Sequence, residues 1–348
     1  MAKYTKMIKI LHIIGKMDRA GAETMLMNLY RHIDRTQIQF DFITFTNQPG
    51  DYDTEIIELG GKIIPIIAKH SIQRMFKLYR FLKKHPEYKI IHTHTLLNNA
   101  FHLIAAKQAG VIHRISHSHN TSNGRKGVIA KIYEKWSINI NIKLATYKIA
   151  CGQEAAKFLF RDSKDVFLLP NAVDIQKMLM IADKNKNYIQ EKFNDTTLKI
   201  IQVGRMSPVK NHNFSLEIAQ ELKKRNINFT IYFIGNGLLF NELEQQTKKL
   251  SLSNEVKFLG LRTDIAELMA SADYMIMPSL HEGFPVVLVE SQAVGLTSIV
   301  SDQISNEVDL GVDLVKFLPI NSAKIWADNL LTTKKKTHSK ELRIEKLK

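Results

Sequence analysis

Short apolar runs rich in β-branched residues alternate with stretches of helical periodicity along almost the whole chain. The first half reads IKILHII, AETMLMNLYRHI, FDFITF, KIIPII, a basic helical stretch from Ile72 to Lys84, and YKIIHTH. The second half reads LKIIQVG, FTIYFIG, EVKFLG, DYMIMPS and TSIVS, with helical stretches between the runs. Such alternation predicts an α/β chain with two doubly wound parallel sheets. The pattern breaks at VFLLPNAVD, where Pro170 and Asn171 interrupt it. The expected organisation is a first domain over 1–170, a second over 171–330, and a lysine-rich segment 331–348 with a short helix from Lys340 to Leu347. A chain of 348 residues, 45% hydrophobic, suits two packed cores of ordinary size. Open α/β sheets bind ligands at the carboxyl ends of their strands, so two such domains facing each other would make a cleft.

Composition excludes several classes. The single cysteine, Cys151, rules out an internal disulfide and a cysteine-cluster metal site. No apolar run approaches the roughly 20 residues that span a bilayer, and the run Met7 to Ile14 is short and interrupted by Lys9. A soluble, cytoplasmic protein is expected.

The stretch His281 to Glu290, HEGFPVVLVE, follows the apolar run YMIMPSL and places Glu282 and Glu290 eight positions apart around Gly283, Phe284 and Pro285. Proline suits a helix's first turn, so Glu282 is expected just before a helix and Glu290 inside it. Amides from Gly283 to Val287 would point out of that helix end, where the dipole favours an anion. Upstream, the expected strand Lys199 to Gly204 leads into VGRMSPVKN, so Arg205 and Lys210 stand at a strand end before a helix from Asn211 to Lys224. Two cations there are placed to hold a diphosphate.

With these motifs in order, the second half resembles the retaining glycosyltransferases of family four, which have the GT-B fold of two Rossmann-like domains. The matching residues are Gly204, Arg205 and Lys210 of the GR...K loop, Gly235 and Gly237 of IGNG, and the pair Glu282 and Glu290. The segment at Pro170 resembles the family's interdomain junction, with Ala172 in place of a glycine. The resemblance implies that Arg205 and Lys210 bind a donor diphosphate, Glu282 donor-sugar hydroxyls and Glu290 the ribose. It spans roughly Ile8 to Leu330 and is closest to the shorter enzymes of bacterial capsule and exopolysaccharide assembly. SDQISNEVD departs from the family, because Glu307 follows no paired glycines, and the chain ends early.

In the first half, Gly21 in GKMDRAGAE lies between a strand and a helix, where glycine permits close backbone approach. The resemblance places it near the phosphates or the acceptor. Histidines gather at two strand ends, His92 and His94 in IIHTHT, then His117 and His119 in RISHSHNT. Residues two apart on a strand share a face, so each pair could hold one ion, but neither segment supplies the third protein ligand that a catalytic zinc site normally has. No metal and no cofactor is therefore expected. The resemblance assigns His119 to the donor sugar, with His117 as its substitute.

Charge is uneven. Residues 1–170 hold 26 Lys and Arg against 13 Asp and Glu, and residues 171–348 hold 23 against 21, which gives +13 and +2. In the stretch Ile72 to Lys84, Arg74, Lys77, Arg80 and Lys84 recur at helical spacing around Ile72, Phe76, Tyr79 and Leu82. Arg114, Arg125, Lys126, Lys131 and Lys135 extend the basic surface beside Ile132 and Trp136. Such faces attract anionic lipid headgroups, at about 1 kcal/mol per basic residue. No nucleic-acid module accompanies the charge, so no nucleic-acid partner is expected. The resemblance thus implies metal-independent, retaining transfer from a nucleoside-diphosphate sugar, UDP-linked, to a polyprenyl-diphosphate-linked saccharide at the inner face of the plasma membrane. A catalytically silent nucleotide-sugar-binding subunit and a GT-B-type nucleotide-sugar epimerase remain the rival readings.

Overall fold

The computed structural model describes residues 7–122, 127–162, 164–170, 173–333, 343, 345 and 346. The chain divides into two compact units, Met1–Asn171 and Ala172–Lys348. Asn171 and Ala172 of the expected junction lie outside the described residues, as do Arg125, Lys126, Lys340 and Leu347. Arg343, Glu345 and Lys346, within the expected C-terminal helix, are helical.

The first unit runs β1 (Ile8–Ile13), α1 (Gly21–His32), β2 (Ile38–Thr44), α2 (Asp53–Glu58), β3 (Ile63–Pro65), α3 (Ser71–Lys84), β4 (Ile90–Thr93), α4 (Asn99–Ala109), β5 (His113–Ser118), α5 (Val128–Leu144), β6 (Tyr147–Ala150), α6 (Gln153–Phe160) and β7 (Phe167–Leu168). Its strands are parallel, in the order β3-β2-β1-β4-β5-β6-β7. One core cluster packs Leu11, Ile13 and Ile91 against Leu78, Leu82 and Leu103. Another, around Met25, Leu26, Tyr30, Phe40 and Phe42, packs α1 against the sheet. Strands covered on both faces read as continuous apolar runs, which is why β1 and β2 show little alternation.

The second unit runs α7 (Ile175–Lys184), α8 (Tyr188–Phe193), β8 (Leu198–Val203), α9 (His212–Lys224), β9 (Phe229–Ile234), α10 (Phe240–Lys249), β10 (Val256–Gly260), α11 (Ile265–Ser271), β11 (Tyr274–Met277), α12 (Val286–Val294), β12 (Ser298–Ser301), β13 (Val315–Leu318) and α13 (Ala323–Thr332). The order is β10-β9-β8-β11-β12-β13, again parallel. Every residue of β9 and β11 is buried. The expected α/β class with two Rossmann-like sheets is thus the observed one.

The strand orders locate the crevices. In the first sheet the chain reverses direction between β1 and β4, and in the second between β8 and β11. Ligands of open α/β sheets bind beyond the carboxyl ends of the strands at such switch points. The loops that follow β1, β4, β8 and β11 are therefore where chemistry is expected.

Candidate active site

At the switch point of the second unit, β8 ends at Val203 and Gly204 turns the chain with φ +154°. A side chain at Gly204 would meet Lys210 Cε at 3.1 Å, so the glycine lets the lysine stem lie across the backbone. A Cβ on Gly235 would overlap the Gly204 carbonyl, and one on Gly237 would overlap that of Met206. The IGNG glycines thus pack the loop after β9 onto the GR...K loop. The short 3-10 turn Pro208–Lys210 is held by Gln202 Nε2, which donates to the Lys210 carbonyl at 2.8 Å. Asn211, with φ 52°, is not the first helical residue as expected but the cap before α9. Its Nδ2 donates to the Pro278 carbonyl at 3.1 Å, and Leu280 N donates to the Val209 carbonyl at 2.8 Å. These bonds tie the end of β8 to the end of β11.

That tie brings two of the expected residues together. Lys210 Nζ lies 2.6 Å from Glu282 Oε1. Arg205 is exposed and pairs with no carboxylate among the described residues. Glu282 forms a parallel bridge with Ile304, so it stands in extended chain rather than at the helix itself. Pro285 caps α12 with φ −69° and ψ 120°, one position earlier than the first turn where it was expected. Its ring suits either place, because both need φ near −65°. Gly283 and Phe284 are buried, and the amides of the first turn carry the unfilled donors of any helix start. At the other end, Arg343 donates to the Ala293 carbonyl at 2.8 Å, a cation at the negative end of the dipole. Glu290 is half-buried on α12, and burial pushes its carboxyl up to about 7.

At the switch point of the first unit the structure gathers five histidines. His12 of β1 lies beside His92 of β4 in register, and sequence reasoning missed it because its run, IKILHII, reads as plain core strand. His94 follows β4, His117 is the last residue but one of β5 and His119 lies just beyond. His12 Nδ1 is 3.1 Å from His94 Nε2, His94 Nδ1 is 2.9 Å from His119 Nε2, and His92 Nε2 is 3.2 Å from His117 Nδ1. The hydrogen bonds therefore run between strands. Burial lowers the pKa of all five, to about 3 for His12 and about 4 for His119, so the cluster is neutral at pH 7. Neither segment supplies a third ligand by itself, but the fold brings one from another strand: His12, His92 and His94 form one group of three and His94, His117 and His119 another, with ligand atoms within 4.8 Å.

Comparison with known proteins agrees with both halves. The family model for glycosyltransferase family 4 matches residues 19–177, and that for glycosyl transferases group 1 matches residues 183–330. EpsF of Bacillus subtilis, a protein named as a glycosyltransferase, is 38% identical over 92% of this chain and 86% of its own. The chain belongs to glycosyltransferase family four. The Escherichia coli UDP-Gal:alpha-D-GlcNAc-diphosphoundecaprenol alpha-1,3-galactosyltransferase is 27% identical over 85% of this chain and 79% of its own. The crystal structure of Anabaena HepE with UDP and glucose superposes with a TM-score of 0.76 at 20% identity, covering 93% of this chain and 89% of that one, and shows the shared fold.

Elsewhere on this family-four glycosyltransferase the expectations divide. Gly21 opens α1, and a Cβ there would meet nothing within 4 Å, so none of the described residues makes the close approach that its glycine would permit. In α3, Leu82 is core and Tyr79 packs on it, whereas Ile72 and Phe76 are 53% and 55% exposed. Arg74 leaves the expected basic stripe, because its guanidinium lies 3.8 Å over the Phe45 ring. Arg114 also turns inward, donating to the carbonyls of Leu144, Val111 and Ile112. In α5, Val128, Ile129 and Ile132 are 74%, 84% and 65% exposed beside exposed Lys131 and Lys135. A cavity of about 630 Å³ lined by Ile115, Ile142, Tyr147 and Phe167 includes His113, at the opposite end of β5 from His117. It lies away from the carboxyl ends of the strands, so it is not the candidate site.

Proposed function

We propose that this glycosyltransferase moves a sugar from a UDP-linked donor to a hydroxyl of a polyprenyl-diphosphate-linked saccharide, keeping the anomeric configuration and using no metal ion. The observation that carries the reading is the Lys210–Glu282 pair at a topological switch point, on the same loop as exposed Arg205, which pairs with no carboxylate among the described residues. As the bond from the sugar C1 to the leaving phosphate oxygen breaks, its electron pair stays on the phosphate. Arg205, Lys210 and the amides at the start of α12, with Gly204 and Gly283 to Pro285 shaping the loops around them, would stabilise that charge in place of a divalent ion. The acceptor oxygen joins C1 from the same face, and its proton passes to the leaving phosphate. Glu282 would hold donor hydroxyls and Glu290 the ribose.

The named activity of the Escherichia coli relative supports a UDP donor and a polyprenyl-diphosphate acceptor. The capsular polysaccharide glycosyltransferase CapH of Staphylococcus aureus, 28% identical over 82% of this chain, supports a role in surface polysaccharide assembly. No helix among the described residues is long and apolar enough to cross a membrane. The exposed apolar side chains of α3 and α5, interleaved with Lys77, Arg80, Lys131 and Lys135, support docking on an anionic membrane at its inner face.

The test is turnover of a panel of nucleotide sugars with chelator present, with and without a polyprenyl-diphosphate saccharide in anionic vesicles. Release of nucleoside diphosphate that depends on the acceptor, with a retained anomeric centre by NMR, is expected. Donor consumed without acceptor would favour an epimerase, and binding without turnover a silent subunit.

A further inference from the structure

We propose that the histidine cluster of the first unit is a binding site for one divalent transition metal of the zinc class, ligated by His94 Nδ1, His117 Nε2 and His119 Nε2. These rings belong to the group whose ligand atoms lie within 4.8 Å of one another. His94 Nδ1 and His119 Nε2 are already 2.9 Å apart. A tetrahedral ion with nitrogens at about 2.0–2.1 Å sets its ligands about 3.3 Å apart, close to that separation. His117 is fully buried, and its Nε2 is buried without a hydrogen-bond partner among the described residues. An aromatic nitrogen left in that state is poorly satisfied by the protein alone.

The other two histidines complete the arrangement. His92 Nε2 faces His117 Nδ1 at 3.2 Å, and His12 Nδ1 faces His94 Nε2 at 3.1 Å. If His117 carries its proton on Nδ1 and His94 on Nε2, each donates to its neighbour and turns a lone pair to the ion. Metal-bound histidines are commonly oriented by such an outer partner. The neutral imidazole is the ligating form. Three neutral nitrogens suit zinc, cobalt, nickel or copper better than magnesium or calcium, which prefer oxygen, and they leave a fourth position for water. His119, half-buried just past the end of β5, gives the ion a route in. The inference rests on the first unit's histidines and not on the proposed transfer reaction. A metal held here need take no part in that chemistry.

The experiment is titration of untagged, chelator-stripped protein with Co²⁺, whose tetrahedral nitrogen complexes absorb strongly in the visible. One equivalent is expected to produce the band, and Zn²⁺ is expected to abolish it. His119→Ala, at the least buried ligand, should remove the band while far-UV circular dichroism stays unchanged. His92→Gln should weaken binding by about 10–100-fold as an outer partner. His113→Gln, at the far end of β5, should bind as the parent does. Absence of a band at one equivalent in the parent protein would overturn the site, and so would a band unaffected by His119→Ala.

Discussion

Lys210 Nζ stands 2.6 Å from Glu282 Oε1, with side-chain exposures of only 19% and 15%. The two residues come from different strand ends and meet because Gly204 leaves room for the lysine stem and Asn211 binds the Pro278 carbonyl. The pair answers a physical problem, since a mostly buried carboxylate needs a cation beside it. On the proposed reading, sugar hydroxyls would take over Glu282 and release the ammonium to phosphate.

Lys210→Ala should lower kcat by about 10²–10³-fold, the usual scale for removing one preorganised donor to a developing oxyanion. It should also lower stability by about 1–3 kcal/mol, because Glu282 loses its partner. Arg205→Ala should match the loss of turnover with stability changed by about 0.5 kcal/mol or less, since Arg205 is exposed and unpaired among the described residues. Steady-state kinetics beside urea unfolding separates the two. Full turnover in both variants would remove these cations from the mechanism.

Glu290 makes a pH prediction. Its folded pKa, about 7, lies above the ordinary value of 4.5, so the folded state keeps a proton that the unfolded chain releases. Its contribution to stability is therefore present below about pH 4.5, falls as pH rises towards 7, and is constant above. Glu290→Gln should flatten that slope and raise stability at pH 8 by roughly 1–3 kcal/mol. Unfolding midpoints at pH 5 and pH 8 check it. If the ionised carboxyl accepts ribose hydroxyls, UDP affinity of the parent should rise through pH 7, and the variant's should not.

The α/β class and both sheets were legible because buried parallel strands advertise themselves as apolar runs, and the GR...K and Glu282–Glu290 segments were legible because each follows such a run. The Lys210–Glu282 contact was not, since it depends on β8 and β11 being neighbours although two strands separate them in sequence. His12 was invisible for the same reason, as its meaning comes from register with His92. Arg74 and Arg114 looked like surface charge because periodicity shows spacing but not where a long side chain folds back.

The glycines separate packing from function. Gly235→Ala should destabilise strongly, since φ is +136° and a Cβ would overlap the Gly204 carbonyl. Gly21→Ala should leave stability within about 0.5 kcal/mol, because a Cβ there meets open space. A fall in turnover for the well-folded Gly21→Ala protein would then report a ligand close to α1, and unchanged kinetics would remove Gly21 from the site.

The surface of α5 offers the sharpest test of membrane docking, because its exposed apolar side chains can be altered without touching the core. Ile129 and Ile132 are 84% and 65% exposed, while the helix holds to its unit through Ser137, Ile138 and Asn141. Ile129→Glu with Ile132→Glu removes apolar area and adds two negative charges beside Lys131 and Lys135. The unfolding midpoint should barely move, whereas sedimentation with anionic vesicles should fall at least tenfold. Parent binding should weaken as salt rises, since each basic residue near the surface contributes about 1 kcal/mol that ions screen. Turnover of a water-soluble acceptor should survive the change while turnover of vesicle-bound acceptor drops. Equal loss on both acceptors would instead place these residues in the acceptor site, and unchanged vesicle binding would move the docking surface away from α5.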